Sequence, residues 1–335
     1  MGQRDYRTTG LGGHAGPPLQ KLCVPVCPTG RACASVGLLC WILDIPKLHI
    51  AVQMCYTVYN LLGIKAMKCF RFWVRETKSI YIGESRRAIA LLAGSNVSKD
   101  DASLNAGQIA ASIEERIRNP KPRQAREEYE ACIKEHIAHE VDAKNIITIN
   151  RYGAQVLNTT QYTILDIDTF ACTAPWLVRL IRRLKDRTKD SIVRTFKQRI
   201  ARHPTLDMPF RIYETCAGIR IIGKCYLDPQ GKGFLALMRA LDVDPLYSLL
   251  CRKQDCYRAR LTPKPYRMKM ETIRIKTPLD CEAEAYGIWQ TKYAEAAQRY
   301  SVVNLLEVIG KDFWDDPVIM LHDQTANMRS NSPLA

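Results

Sequence analysis

Two aspartates at alternate positions of an apolar run are the residues of this chain that most clearly predict chemistry. The run TILDIDTF, residues 163–170, has the composition of a buried strand but carries Asp166 and Asp168. Residues two apart on a strand share a face, so the two carboxylates lie side by side and repel each other. A divalent cation between them removes that repulsion, and Mg²⁺ and Mn²⁺ prefer carboxylate oxygen. The pair therefore predicts a metal site suited to phosphoryl transfer.

A simpler interpretation of the pair stays open. The Asp-x-Asp pattern arises often by chance, and at a strand end one carboxylate would cap a following helix while the other is solvated. Such a helix is expected to begin at Pro175, since proline is favoured in a first helical turn. The apolar neighbours Ile164, Leu165 and Ile167 predict in addition that the strand is central and covered.

A second candidate site is the basic stretch CRKQDCYRARLTPKPYRMK at residues 251–269. Cations that neutralise phosphates, together with aromatic rings that stack on bases, are what binding of a single-stranded nucleic acid requires. The stretch contains seven cations and two tyrosines: Arg252, Lys253, Arg258, Arg260, Lys264, Arg267, Lys269, Tyr257 and Tyr266. We expect four of them to contact phosphate, namely Arg258, Arg260, Lys264 and Arg267. A solvated turn with basic side chains is the alternative.

The composition of the chain favours a polyanionic partner. Its 335 residues carry a formal net charge of +15 at pH 7, and the isoelectric point is near 9.3. Nucleic acid or a nucleoside triphosphate is therefore the expected partner, although net charge alone does not define a fold. No run reaches the roughly eighteen apolar residues of a membrane-spanning helix, so no membrane association is expected.

The thirteen cysteines predict a reducing compartment. Their number is odd, and none of them forms the paired CxxC pattern of a zinc ribbon. A chain of this length is far larger than a disulfide scaffold, so reduced thiols of a cytoplasmic protein are the expectation.

The chain changes character at Met67. Residues 1–66 are rich in glycine and proline and have apolar runs without a charged face, so we expect an N-terminal extension that is disordered or not part of the functional protein. From Met67 onward, MKCFRFWVRETKSIYIG alternates as a strand does. We assign residues 67–142 to an N-terminal hairpin with helices, residues 143–315 to an α+β core and residues 316–335 to a tail.

Apolar periodicity and turn signals predict hairpins that alternate with helices. Hairpins are expected at the sequence LNTT, between NIITIN and TILDID, and at residues 211–223. Helices are expected over residues 124–143, which include His136 and His139, over residues 175–203, on both sides of Pro245, and over residues 280–300. TPKPYR is expected to be an extended loop, and ETIRIK and VVNLLEVI are expected to be strands. The order predicts an α+β fold, an antiparallel sheet of hairpins with helices packed on it, which resembles the core of an RNA-recognition motif in outline.

Two short motifs resemble those of the archaeo-eukaryotic primase and primase-polymerase superfamily. TILDIDTF is similar to its first motif, an apolar strand that ends in two alternating metal-binding acids. ETCAGIRII, residues 214–222, is similar to its second motif, in which a small residue and a glycine lead to a histidine that contacts the triphosphate. Thr215 and Gly218 stand at comparable places, but Arg220 stands where the histidine is expected. The planar guanidinium of arginine also binds phosphate.

The resemblance covers about residues 145–285 and implies a primase-like core with metal-dependent phosphoryl or nucleotidyl transfer. It implies that Asp166 and Asp168 hold Mg²⁺ or Mn²⁺ and act in catalysis, and that Thr215 and Arg220 contact phosphate. A third acidic motif has no unique match in the sequence. The candidates for it are Asp242, Asp244, Asp280 and Glu282.

Two other classes of function fit the same residues. The altered second motif and the unassigned third acid favour a catalytically inert nucleic-acid-binding module. A structural or adaptor protein without a nucleotide ligand is the third class. The chain from RYGAQVLNT to ARLTPKPYR is also similar to a group of bacterial proteins without an assigned activity, which implies membership but no mechanism.

Overall fold

The computed structural model describes residues 67–120, 132–169, 187–328 and 332–335. These stretches fall within the unit Thr57–Ala335. The expected N-terminal extension, residues 1–66, and the expected helix start at Pro175 lie outside the described residues.

Ten strands and six α-helices are present in the described stretches. The strands are β1 (Phe72–Ile82), β2 (Ser85–Ser95), β3 (His136–Asp142), β4 (Asn145–Ile149), β5 (Gln155–Thr159), β6 (Thr163–Asp168), β7 (Phe210–Thr215), β8 (Gly218–Gly223), β9 (Tyr257–Arg260) and β10 (Val303–Ile309). The helices are α1 (Lys99–Arg118), α2 (Lys189–Ile200), α3 (Phe234–Ala240), α4 (Pro245–Gln254), α5 (Glu284–Ala297) and α6 (Pro317–Thr325). None of these helices is both long enough and apolar enough to cross a bilayer. The antiparallel sheets and packed helices confirm the predicted α+β class.

Four antiparallel strands form the main sheet, which carries the aspartate pair. Their order is β10-β7-β8-β6, so β6 lies at an edge and its predicted central position is wrong. The strand is nevertheless covered as predicted, because Ile164, Leu165 and Ile167 are each at most 1% exposed. They belong to a core cluster that also contains Leu157 and Tyr257 from a second sheet.

The middle of the main sheet is the predicted hairpin of β7 and β8, which is confirmed. Strand β8 lies between β6 and β7 and is antiparallel to both, so β6 and β7 run parallel to each other. With α2 in the connection, this segment has the arrangement of a split βαβ unit. Strand β10 adds beside β7. Any further likeness to an RNA-recognition motif stays a prediction.

The second sheet has the order β3-β4-β5-β9 and corrects a predicted helix. Residues 136–142 of the expected helix 124–143 form strand β3, so His136 and His139 lie on a strand. The Asp142 carboxylate accepts a hydrogen bond from the amide of Lys144 (2.7 Å), which fixes a turn. Pairing with the β-branched strand β4 then outweighs the helix propensity of the segment.

The hairpin expected at LNTT is also wrong, because its first three residues lie inside β5. The chain turns earlier, between β4 and β5. The side chain of Asn150 accepts hydrogen bonds from the amides of Tyr152 and Ala154 (both 3.1 Å), and Gly153 adopts a φ of +85°. This is an asparagine-initiated turn that needs the freedom of glycine. Strand β6 belongs to the main sheet and does not pair with β4.

The main core lies between the main sheet and helices that include α2 and α6. Helix α2, which lies within the helix expected over residues 175–203, buries Ile192 and Phe196. The predicted tail, residues 316–335, is wrong, because its first part forms α6 and buries Val318 and Ile319 in the same core. Helix α6 is therefore an integral part of the main core.

The N-terminal hairpin and its helix are confirmed. Strands β1 and β2 pair along their full length, and α1 packs on both. Ser98 caps α1 by accepting a hydrogen bond from the amide of Asp101 (3.0 Å). The boundary expected between residues 142 and 143 is not a domain boundary, because it falls in the turn of the β3–β4 hairpin.

Two expectations for residues 262–276 are wrong. The expected extended loop contains a 3-10 turn, Pro265–Met268, and ETIRIK forms no strand. The amide of Ile275 donates to the carbonyl of Arg151 (2.9 Å) without a continued ladder. The helices around Pro245, most of the expected helix 280–300, and strand β10 are confirmed.

Candidate functional site

The predicted site residues meet in one cleft. Its volume is about 720 Å³, and it is lined by parts of both four-stranded sheets, whose edge strands β6 and β9 lie side by side. All eight predicted residues line it: Asp166, Asp168, Thr215, Arg220, Arg258, Arg260, Lys264 and Arg267. The structure thus brings the acidic motif, the second motif and part of the basic stretch together.

One wall of the cleft, here called the acidic wall, consists of Asp166, Asp168 and Asp244. The amide of Asp244 donates to the carbonyl oxygen of Asp166 (3.2 Å), which fixes the start of α4 beside β6. Partial burial, followed by the charges of Asp166 and Asp244, raises the pKa of Asp168. The Asp168 carboxylate has no hydrogen-bond or ion-pair partner within the described stretches. Of the three carboxylates of the acidic wall, that of Asp168 is therefore the most accessible to a cationic ligand.

Asp244 is the candidate third acid that the structure brings to the pair. Its carboxylate also caps α4 by accepting a hydrogen bond from the amide of Tyr247 (2.7 Å). The other three candidates are engaged elsewhere: Asp242 by Arg199 (2.6 Å), Asp280 by the amide of Thr277 (2.8 Å) and Glu282 by Lys99 (3.9 Å). The sequence alone does not distinguish the four, because their distance from Asp166 and Asp168 depends on the packing of separate elements.

Arg220 is the partner of Asp166. The two residues are paired across β6 and β8, and Arg220 Nε lies 3.1 Å from Asp166 Oδ1. The Arg220 side chain is 3% exposed, and its Nη1 donates to the carbonyl of Arg260 (2.8 Å). These contacts assign Arg220 to the support of Asp166, and only its Nη2 group is left for the predicted phosphate contact.

Behind Arg220 a buried polar network continues into the core. His322 Nε2 lies 3.4 Å from Arg220 Nη1, and His322 Nδ1 lies 2.9 Å from Asp323 Oδ1. Because arginine only donates, Nε2 accepts and the proton of the neutral imidazole is on Nδ1. Burial lowers the pKa of His322, in agreement with the neutral form. Asp323 in turn accepts from Arg211 Nη2 (2.9 Å). No sequence signal indicates this network, because His322 and Asp323 lie in the predicted tail.

Another part of the cleft lining, here called the basic wall, has two cations without an ion-pair partner among the described residues. Lys264 and Arg267 form no ion pair with any described residue, and they flank Tyr266 with distances of 5.8 and 6.0 Å to its ring centroid. The 3-10 turn between them holds all three side chains on one short segment. Lys264 and Arg267 are therefore available to an anion in the cleft.

The other two predicted phosphate ligands are placed less favourably. Arg258 forms an ion pair with Glu135, and this pair neutralises the charge of the Arg258 guanidinium. Arg260 donates to the carbonyls of Thr262 (3.0 Å) and Ala335 (3.4 Å). Burial and the neighbouring charge of Arg220 lower the pKa of Arg260 to about 10. An anion near Arg260 would relieve this unfavourable burial of charge.

The second motif shapes the turn that lies against Asp168. Thr215 Oγ1 accepts a hydrogen bond from the amide of Gly218 (3.0 Å), which closes the β7–β8 turn. Gly218 is paired with Asp168, and a Cβ atom on it would lie 2.1 Å from the carbonyl oxygen of Ile167. The second motif thus fixes the position of strand β6, which carries Asp166 and Asp168.

Gly218→Ala is expected to lower the free energy of unfolding by about 1–3 kcal/mol, because the new methyl group meets backbone that cannot rotate away. Urea denaturation measures this change. Gly287→Ala is the matched control: nothing lies within 4 Å of its Cβ position in α5, so it should be neutral or stabilising. Equal stability of Gly218→Ala and the unaltered protein would show that β6 and β8 can separate at Asp168.

The donor set of the acidic wall fits a divalent cation held by two carboxylates. Asp168 has no protein partner in the described stretches, and Asp166 uses only Oδ1 there. Mg²⁺ is commonly bound by one or two carboxylates together with water and substrate phosphate. No group of three or more His, Cys, Asp or Glu side chains among the described residues is placed to enclose a metal. A metal at Asp166 and Asp168 would thus take its remaining ligands from water and substrate.

Comparisons with known proteins return no relative. No protein-family model matches the chain. No curated protein and no solved structure matches it either. The resemblance to primases rests on the two motifs alone.

Proposed function

We propose that the cleft binds the phosphates of a nucleotide or nucleic acid and, with Mg²⁺ or Mn²⁺, catalyses phosphoryl or nucleotidyl transfer on a primase-like core. The proximity of the two walls carries this proposal. Lys264 and Arg267 lie near enough to Asp168 to lower its pKa, against the burial and the acidic neighbours that raise it. Phosphoryl transfer needs a phosphate held between fixed cations and a charge-neutralising metal.

Each wall has its own part in this function. Asp166 and Asp168 would hold the metal, which neutralises charge on the transferring phosphoryl group when bound. Lys264 and Arg267 would hold the phosphates in line with it, from a segment that the 3-10 turn keeps in place. Arg220 would fix the Asp166 carboxylate through Oδ1.

A catalytically inert nucleic-acid-binding module is the second candidate, and the ion pair between Asp166 and Arg220 favours it. That pair neutralises one of the two acids before any metal arrives. Tyr266 is 59% exposed beside Lys264 and Arg267, as an aromatic platform for a single strand would be. This candidate implies binding to single-stranded nucleic acid that weakens steeply with salt and needs no divalent metal. The primary proposal implies binding and turnover that both require the metal.

Lys264→Ala and Arg267→Ala are each expected to weaken the binding of inorganic tripolyphosphate about tenfold, since each removes a charge-assisted hydrogen bond. Titration calorimetry measures both affinities in the presence of Mg²⁺. Arg252→Ala is the control, because it removes the same charge from the basic stretch at a residue outside the cleft. An equal loss of affinity with Arg252→Ala would show that only the overall charge of the protein matters. Unchanged affinity in every variant would show that the basic wall does not bind phosphate.

We also propose a cytoplasmic location. The cysteines in the described stretches are unpaired. Burial raises the pKa of the Cys69 thiol to about 12, so that this thiol stays protonated. Reduced thiols of this kind are typical of a reducing compartment.

A further inference from the structure

Beside the cleft lies a second pocket that the proposed function leaves unused. Its volume is about 330 Å³, and it is lined by the second sheet, helix α5 and the end of α6. The two cavities share Ile149. The chain also passes directly from Thr262 and Pro263 in the pocket to Lys264 on the basic wall. The pocket and the cleft are therefore adjacent, both at Ile149 and at the step from Pro263 to Lys264.

The chemistry of the pocket differs from that of the cleft. None of the described residues that line it is charged. Four of them are glutamines whose side-chain amides have no hydrogen-bond partner within the described stretches: Gln155, Gln290, Gln298 and Gln324. Tyr286 also lines the pocket, is 6% exposed, and has a buried hydroxyl group without a partner. The buried hydroxyl of Tyr286 is unfavourable without a partner, and the glutamine amides, three of them exposed, are free to bind a polar ligand.

One side of the pocket is aromatic. Trp289 stacks on Tyr293 with ring centroids 4.7 Å apart and on Tyr286 with centroids 6.1 Å apart. The hydroxyl of Tyr293 is tied to Thr262 Oγ1 (2.8 Å), which holds the stack against the chain that leads to Lys264. Tyr286 and Tyr293, which line the pocket, are thus held rigidly by their stacking on Trp289.

From these features we infer that the pocket, here called the base pocket, receives the base of a nucleotide whose phosphates lie in the cleft. The inference rests on the proposed function, because the cleft must bind the phosphates. A nucleobase is an uncharged flat ring system whose edge both donates and accepts hydrogen bonds. Glutamine amides supply both kinds of partner, and the tyrosines supply surfaces for its faces. The proposed ligand thus narrows from a nucleotide or nucleic acid to a nucleotide whose base enters the base pocket.

Calorimetric titrations of ATP and of inorganic tripolyphosphate into the full chain, both with Mg²⁺, test this inference. ATP is expected to bind about tenfold more tightly than tripolyphosphate or better, since it alone reaches the base pocket. Ala294→Trp, at an exposed position of α5 that lines the pocket, fills it and should remove the preference for ATP. Gln290→Ala should reduce the preference about threefold. Thr291→Ala, exposed on the same helix but outside the pocket, should leave both affinities unchanged.

The outcomes separate the base pocket from the cleft. Equal affinities for ATP and tripolyphosphate in the unaltered protein would overturn the base pocket and leave phosphate binding in place. A preference for ATP that survives Ala294→Trp would also overturn the base pocket and leave phosphate binding in place. If neither compound binds, the proposed function fails, and the base pocket fails with it.

Discussion

Asp168→Asn is expected to lower metal-dependent turnover about a hundredfold or more, because a charged metal ligand supports several kcal/mol of transition-state stabilisation. The free energy of unfolding should stay the same or rise. Burial and the charges of Asp166 and Asp244 disfavour the ionised form of Asp168 in the folded protein, and asparagine is not ionised.

The pH dependence of stability follows from the same shift. The pKa of Asp168 is higher in the folded chain than in the unfolded chain. Its ionisation therefore lowers stability as the pH rises from its ordinary pKa through its folded pKa, and Asp168→Asn should lack this loss. Thermal unfolding across that range measures it.

Turnover is measured as the release of pyrophosphate from a nucleoside triphosphate with Mn²⁺ and single-stranded DNA. Asp315→Asn removes the same charge from an exposed residue outside the cleft and should leave turnover unchanged. Asp166→Asn should differ from Asp168→Asn, because it leaves the buried Arg220 without its anion and lowers stability by about 1–3 kcal/mol. Full turnover in Asp168→Asn would remove that carboxylate from the mechanism.

Arg211→Met is expected to lower the free energy of unfolding by about 3–5 kcal/mol, because it breaks a buried ion pair from one side. The Arg211 side chain is 2% exposed, and that of Asp323 is 11% exposed. Arg211 Nη1 also contacts Asp312, and Nε donates to the Tyr213 hydroxyl (2.7 Å). Methionine fills the space of the side chain but leaves Asp323 charged and without its cation.

Urea denaturation of the unaltered protein, of Arg211→Met and of a double variant tests the contribution of the ion pair between Arg211 and Asp323. The double variant Arg211→Met, Asp323→Asn removes the buried negative charge together with the cation, so it should recover part of the stability that Arg211→Met loses. A loss below about 1 kcal/mol in Arg211→Met would mean that desolvation already cancels the attraction within this pair.

The residues of the cleft could be predicted from the sequence because each group has a local signal. Asp166 and Asp168 interrupt an apolar run with a period of two, and Lys264 and Arg267 belong to a dense basic stretch. That these groups line one cleft could not be predicted. It depends on two edge strands of different sheets lying side by side, and the alternation along a strand does not reveal which strands are at an edge.

Errors in the predicted fold have a common origin. Residues 136–142 have helix-like spacing, but a turn at Asp142 returns the chain onto β4, and pairing with that strand decides the outcome. Helix α6 falls in the predicted tail, because the short apolar run after Pro317 stands between polar residues and only the packing of the main core shows that Val318 and Ile319 are buried. The role of Arg220 likewise depends on the register of β6 and β8, which pairs it with Asp166.

The most direct test of the metal site is a calorimetric titration of Mn²⁺ into the full chain and into Asp168→Asn, each with tripolyphosphate present. We expect the unaltered protein to bind Mn²⁺ and Asp168→Asn to lose that binding while it unfolds at the same or a higher temperature. Binding that is the same in both proteins, or absent from both, would contradict a metal site at the aspartate pair. The second candidate, metal-independent binding of single-stranded nucleic acid, would then account for the basic wall.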